Sequence, residues 1–175
     1  MNITPPSPER ENPPLDVKRI VSTLDAHGVQ YLLIGGLGAT LYGAERVTQD
    51  IDLLPLTDVD NLSKLAAALR DLGAFLRVGG LSDDEARALP VVIDGRSLAA
   101  TEVTTWRTDA GDLDVLATIR GEHGERRQYA DLVDRARPDC SNSFGLPRRI
   151  SRSARLIAPA TSGSSGQMSR CGRSS

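Results

Sequence analysis

Tyr31-Leu32-Leu33-Ile34-Gly35-Gly36, followed after a helix-length gap by Asp50-Ile51-Asp52-Leu53-Leu54, is the stretch from which the fold is read. Four apolar residues running into a glycine pair predict a buried strand with a sharp exit. Gly36 to Gly43 predicts a short helix entered through glycine, and Ala44 to Gln49 a polar loop. In Asp50 to Leu54 acids alternate with apolar residues, the pattern of a half-buried strand. Side chains two apart on a strand share a face, separated along it by roughly 6–7 Å. Asp50 and Asp52 therefore stand together, with Ile51 and Leu53 on the other side.

Further along, Val17, Ile20, Val21 and Leu24 have helical spacing that Gly28 stops. Asp58 caps a predicted helix carrying Val59, Leu62, Leu65, Ala66 and Leu69, which Gly73 ends. Ser82-Asp83-Asp84-Glu85 matches a capping box ahead of another short helix. Glu102 to Thr108 is rich in threonine and valine and predicts a strand. Asp109-Ala110-Gly111 is turn chemistry, Leu113 to Ile119 returns as a strand, and Tyr129 to Ala136 closes with an amphipathic helix. The expected fold is α/β (α+β): a small mixed β-sheet flanked by helices.

Composition suits a soluble protein of one domain, with 39 % hydrophobic and 25 % charged residues among 175. No apolar run approaches the length of a membrane helix. Residues 1–14 hold five prolines and no apolar segment, which predicts a disordered leader, and residues 15–138 the folded domain. The net charge of −2 conceals an asymmetry. Every acid occurs by Asp139, and the remaining residues hold six arginines and ten serines. An acidic body argues against strong nonspecific nucleic-acid binding by the core. Residues 139–175 lack helical or strand period; disorder and a shifted reading frame in a GC-rich gene both account for them. Cys140 and Cys171 both fall in that tail and predict neither a disulfide nor a metal site; a cytoplasmic location follows.

Paired carboxylates joined by a third from a neighbouring strand are the ligand chemistry of two-metal sites, whose ions lie roughly 3.5–4 Å apart. The third acid is Asp114 in Gly111-Asp112-Leu113-Asp114-Val115-Leu116. Asp112 is the alternative. Alternation favours Asp114, since Leu113 and Val115 then share the opposite, apolar face and Asp112 sits close to the turn. Taken singly, an Asp-x-Asp pair is more often a solvated strand face, and a glycine pair only a turn. His27 reads as a helix C-cap, His123 as an exposed loop residue, and Trp106, Tyr129 and Tyr42 as packing residues.

Tyr31-Leu-Leu-Ile-Gly-Gly-Leu-Gly-Ala-Thr-Leu-Tyr-Gly, then Arg46-Val-Thr-Gln-Asp-Ile-Asp-Leu, with Trp106-Arg-Thr-Asp-Ala-Gly-Asp-Leu-Asp-Val-Leu downstream, resembles the minimal nucleotidyltransferases, in their AbiEii toxin-like branch. The resemblance spans about residues 17–136. It implies that Asp50, Asp52 and Asp114 hold Mg²⁺ (or Mn²⁺) and serve catalysis. It implies that Gly35 and Gly36 present backbone N–H groups to an NTP, and that Arg46 and Thr48 touch its phosphates. The implied reaction is transfer of a nucleoside monophosphate from an NTP to an RNA end, such as that of a tRNA, or to a protein hydroxyl. A cognate antitoxin is an implied partner. Relatives continue into a helical C-terminal region that completes the cleft; here the serine–arginine tail stands in its place. That departure leaves an inactive remnant or nucleotide-binding interaction module as the other reading.

Overall fold

A computed structural model of the chain describes residues 14–35, 50–121, 123–134, 136–138 and 154–156. The expected helix at Gly36 to Gly43 and the loop after it, with Arg46, Thr48 and Tyr42, lie outside these residues. The expected mixed sheet flanked by helices is present.

Helix α1, Val17–Ala26, starts at Asp16, whose carboxylate accepts from Arg19 N, and buries Ile20, Val21 and Leu24. It ends at His27, which pairs with Asp71 at 2.7 Å. Strand β1, Tyr31–Ile34, is buried at every residue. Strand β2 is Asp50–Pro55. Helix α2, Val59–Asp71, is capped by Asp58 as the sequence predicts and buries Leu62, Leu65, Ala66 and Leu69. Then follow β3, Phe75–Leu76, and the short helix α3, Asp83–Arg87, with its capping box of Ser82 and Glu85. Helix α4 is Gly95–Ala99, capped by Asp94. Strands β4, Val103–Thr108, and β5, Gly111–Leu116, form the expected hairpin. A two-residue ladder, β6 (Ile119–Arg120) with β7 (Arg126–Arg127), precedes α5, Tyr129–Leu132. Strands β8, Arg137–Pro138, and β9, Ala154–Leu156, complete the set.

Four differences separate this from the sequence reading. Strand β5 ends at Leu116, and Ile119 belongs to a separate ladder. Helix α5 stops at Leu132, four residues before Ala136. Strand β3 and helix α4 have no counterpart, being too short to carry a period of their own. Residues 154–156 of the tail form a strand, which needs only backbone donors and acceptors and so no side-chain pattern.

The large sheet runs β3-β4-β5-β2-β1-β9-β8. Strand β2 pairs antiparallel with β1 and parallel with β5, so the middle of the sheet changes sense at β2. One face is covered by α1, α2 and α4. Tyr31, Leu33, Ile51, Leu53, Trp106, Leu113 and Val115 point there into the main core. The other face carries Leu32, Ile34 and Leu54, and Tyr129 of α5 covers only that apolar end. The rest of this second face is where the acids emerge. No helix among the described residues is long and apolar enough to cross a membrane.

One buried amide joins α2 to the sheet. Asn61 is 2 % exposed. Its Nδ2 donates to Gln30 O and Leu56 O at 2.9 and 2.8 Å, and its Oδ1 accepts from Gln30 N at 2.7 Å. Replacing it strands two part-buried backbone groups, Gln30 N at the β1 entrance and Leu56 O at the β2 exit. Asn61→Leu is expected to cost about 2–4 kcal/mol, since each stranded group loses about 1–3 kcal/mol. Urea unfolding checks this, with a lower midpoint at unchanged slope expected.

Candidate active site

The parallel register sets Asp50 opposite Asp112 and Asp52 opposite Asp114. Residues directly opposite in a sheet share a face, as do residues two apart on a strand. All four acids therefore emerge from the same face, on adjacent strands about 4.8 Å apart. Ile51 and Leu53, with Leu113 and Val115, take the opposite face and are the reason the acids face outward.

The four acids are not equivalent. Asp112 is 7 % exposed and committed to structure. Arg107 lies opposite it on β4 and grips it through two bonds, Nε to Oδ1 at 2.9 Å and Nη2 to Oδ2 at 3.2 Å. The same guanidinium donates through Nη1 to both oxygens of Asp83, at 3.0 and 3.1 Å, and so fastens the first residue of α3 to the sheet. Hydrogen bonding to Asp112 outweighs burial and, with Asp83, raises the Arg107 pKa above its usual range. Arg77 adds a bond from Nη1 to Asp112 Oδ2 at 3.2 Å. Of the two candidates for the third carboxylate, Asp112 is thus an ion-pair partner. Asp114 is half-buried and carries no ion pair among the described residues.

Gly35 follows β1 at φ +66, a left-handed conformation suited to glycine. A Cβ there would fall 1.8 Å from Asp52 Oδ2 and 2.7 Å from its Cγ. The backbone of Gly35 and the Asp52 carboxylate therefore lie side by side, with no room for a side chain between them. Gly36, Arg46 and Thr48 lie outside the described residues, so of the expected nucleotide-binding set only Gly35 is placed.

An all-oxygen donor set on one face, Asp50, Asp52 and Asp114, fits a hard divalent cation in chemistry and in register. Among the described residues, however, no three His, Cys, Asp or Glu side chains stand close enough to hold a metal ion as they are placed. The three acids share a face without converging. A cleft of about 260 Å³ lies elsewhere. It opens on the helix-covered side at the far ends of β2 and β5, lined by Thr57, Thr101, Thr104, Thr118 and Gln128 and by none of the acids.

Sequence reasoning missed Arg107, Arg77 and Thr105. The signal for two of them was present: Thr105 and Arg107 alternate with the buried Trp106 on the strand paired to β5, and so fall on the face of the acids. Trp106 and Tyr129 are packing residues as read, at 2 % and 8 % exposure, and His123 is exposed.

No family model matches this chain. No curated protein matches it either. One solved structure does: a crystal structure from Thermotoga maritima whose own assignment as a nucleotidyltransferase is provisional. The two are 16 % identical with a TM-score of 0.42, over 69 % of this chain and 66 % of that one. The match thus spans just under two thirds of the other chain, and a likeness of this degree carries no functional inference.

Two stability tests follow from the geometry. Arg107→Met leaves the Asp112 carboxylate buried without its main partner, and breaking such a pair costs about 3–5 kcal/mol. Chemical denaturation is expected to show that loss, together with easier proteolysis around α3. Gly35→Ala pushes against Asp52 and strains the backbone, with an expected loss of about 1–3 kcal/mol. Calorimetry measures it, and a crystal structure of the variant is expected to show Asp52 displaced.

Proposed function

We propose that this chain is a metal-dependent nucleotidyltransferase, acting in the cytoplasm as the toxin-like member of a toxin–antitoxin system. It transfers a nucleoside monophosphate from an NTP to a hydroxyl of an RNA end or of a protein. The single observation carrying this reading is the register Asp52 opposite Asp114, with Asp50 on the same face and Gly35 pressed against Asp52. Resemblance of the glycine pair and of the acids to the minimal nucleotidyltransferase signature supports it from the sequence side.

Each residue has a role in the proposal. Asp50, Asp52 and Asp114 would hold Mg²⁺ or Mn²⁺, which neutralises charge on the transferring phosphoryl group. Asp114 accepts the hydrogen bond of the attacking hydroxyl, aims it at the α-phosphate and takes its proton as the new bond forms. The hydroxyl oxygen bonds to that phosphorus, the bond to the β-phosphate oxygen breaks, and pyrophosphate leaves. Gly35 lets the nucleotide's phosphates approach the backbone beside Asp52, and Gly36, Arg46 and Thr48 would extend that contact. Arg107 takes no part in the chemistry; it neutralises Asp112, so that the acidic face carries one charge fewer.

A second reading has its own observation. The three acids do not converge as placed, which suits a nucleotide-binding interaction module without turnover. One assay separates the two. Purified protein with Mg²⁺, each α-labelled NTP, total tRNA and lysate protein is expected to yield labelled RNA or protein. Asp52→Ala is expected to reduce labelling by at least about 10³-fold, as removal of a metal ligand removes charge stabilisation worth several kcal/mol. Circular dichroism of the variant is expected to match the parent. Nucleotide binding without label from any NTP would establish the module instead.

A further inference from the structure

The sheet carries the row of acids onward to a cation. Thr105 lies opposite Asp114 on β4, and Arg77 N donates to Thr105 O at 2.8 Å, continuing the antiparallel pairing set by Phe75 and Arg107. The row across the second face is thus Asp52, Asp114, Thr105, Arg77, each about 4.8 Å from the next at the backbone. Thr105 is half-buried, and its hydroxyl has no hydrogen-bond partner among the described residues. The Arg77 side chain is 53 % exposed and spends only Nη1, on Asp112. A guanidinium offers five N–H donors, so most of its capacity faces outward. Arg87 stands on the same edge, 4.1 Å over the Phe75 ring and half-exposed.

We infer that Thr105 and Arg77 form the acceptor side of the site and bind a backbone phosphate of a nucleic-acid acceptor. This rests on the proposed nucleotidyl transfer and deepens it. Attacking and leaving oxygens lie roughly in line in such displacements. If pyrophosphate leaves over Gly35, next to Asp52, the nucleophile must arrive from the opposite side of Asp114. That side is Thr105 and then Arg77. A hydroxyl followed by a guanidinium is the donor chemistry that proteins direct at phosphate oxygens. The span from Asp114 to Arg77 is one that a single terminal nucleotide bridges, hydroxyl at the acid and phosphate at the arginine. A protein hydroxyl brings no such anion. The acidic body is compatible with this, because a short basic edge gives local positioning without general nucleic-acid affinity.

The test is steady-state transfer to RNA by the full chain and by Arg77→Ala and Thr105→Val, with fluorescent-NTP binding measured beside it. Asp112 keeps both bonds from Arg107 in Arg77→Ala, so that variant is expected to fold. Loss of one charge-assisted phosphate contact is expected to raise KM for RNA by about tenfold or more, with a smaller effect on kcat. The slope of log affinity against log salt is expected to fall by about 0.7, the increment for one single-strand phosphate contact. Thr105→Val carries the same KM test should Arg77→Ala not fold. Unchanged KM and salt slope overturn the inference, as does weakened NTP binding in place of weakened RNA binding. Label in protein alone also overturns it and leaves the nucleotidyltransferase reading intact. No label with any NTP from folded protein overturns both.

Discussion

Everything at the candidate site depends on one pairing, the parallel register of β2 against β5. A slip of a single residue would set Asp52 against Leu113 or Val115 and turn one strand's acids into the helix-covered core. Ile51 and Leu53 on one strand and Leu113 and Val115 on the other forbid that slip, because all four are needed on the apolar side. Burial of hydrophobic side chains on one face thereby fixes where carboxylates appear on the other. The chemistry is held in place by residues that never touch it.

Such an arrangement has an electrostatic cost. Two like charges about 5 Å apart at an effective dielectric near 20 repel by about 3 kcal/mol. Arg107 relieves part of this by binding Asp112 on one side and Asp83 on the other. Arg77 adds a third contact from the sheet edge. Asp50, Asp52 and Asp114 share the same face without converging on one point.

Strands β1 and β2, the β4–β5 hairpin and the helices α1 and α2 were legible because each announces itself locally, by period, by cap or by turn. Asp58 and the Ser82 box are caps read from a few consecutive residues. The alternation around Asp52 and Asp114 was legible for the same reason. Alternation, with Asp112 so close to the turn, favoured Asp114 for the third position. What occupies Asp112 is Arg107, its neighbour across the hairpin, and Arg107 is held in turn by Asp83, which is distant in sequence and meets it only in the fold. Strand β3 and helix α4 were missed because two and five residues carry no period. Strand β9 was missed because a ladder can form on backbone groups alone, in a stretch whose side chains show no strand pattern.

The parallel pairing of β2 with β5 has a bearing on the order of folding. The β4–β5 hairpin closes through its own tight turn and needs no distant partner. Strand β2 can find β5 only after residues 56–110 have folded back across the helix-covered face. Loop-closure entropy rises slowly with length, but non-local pairings of this kind are the slow steps of small mixed domains. The opposed carboxylates thus come together through a contact between segments far apart in sequence, against their own repulsion. A ligand that bridges Asp52 and Asp114 would stabilise that contact by mass action.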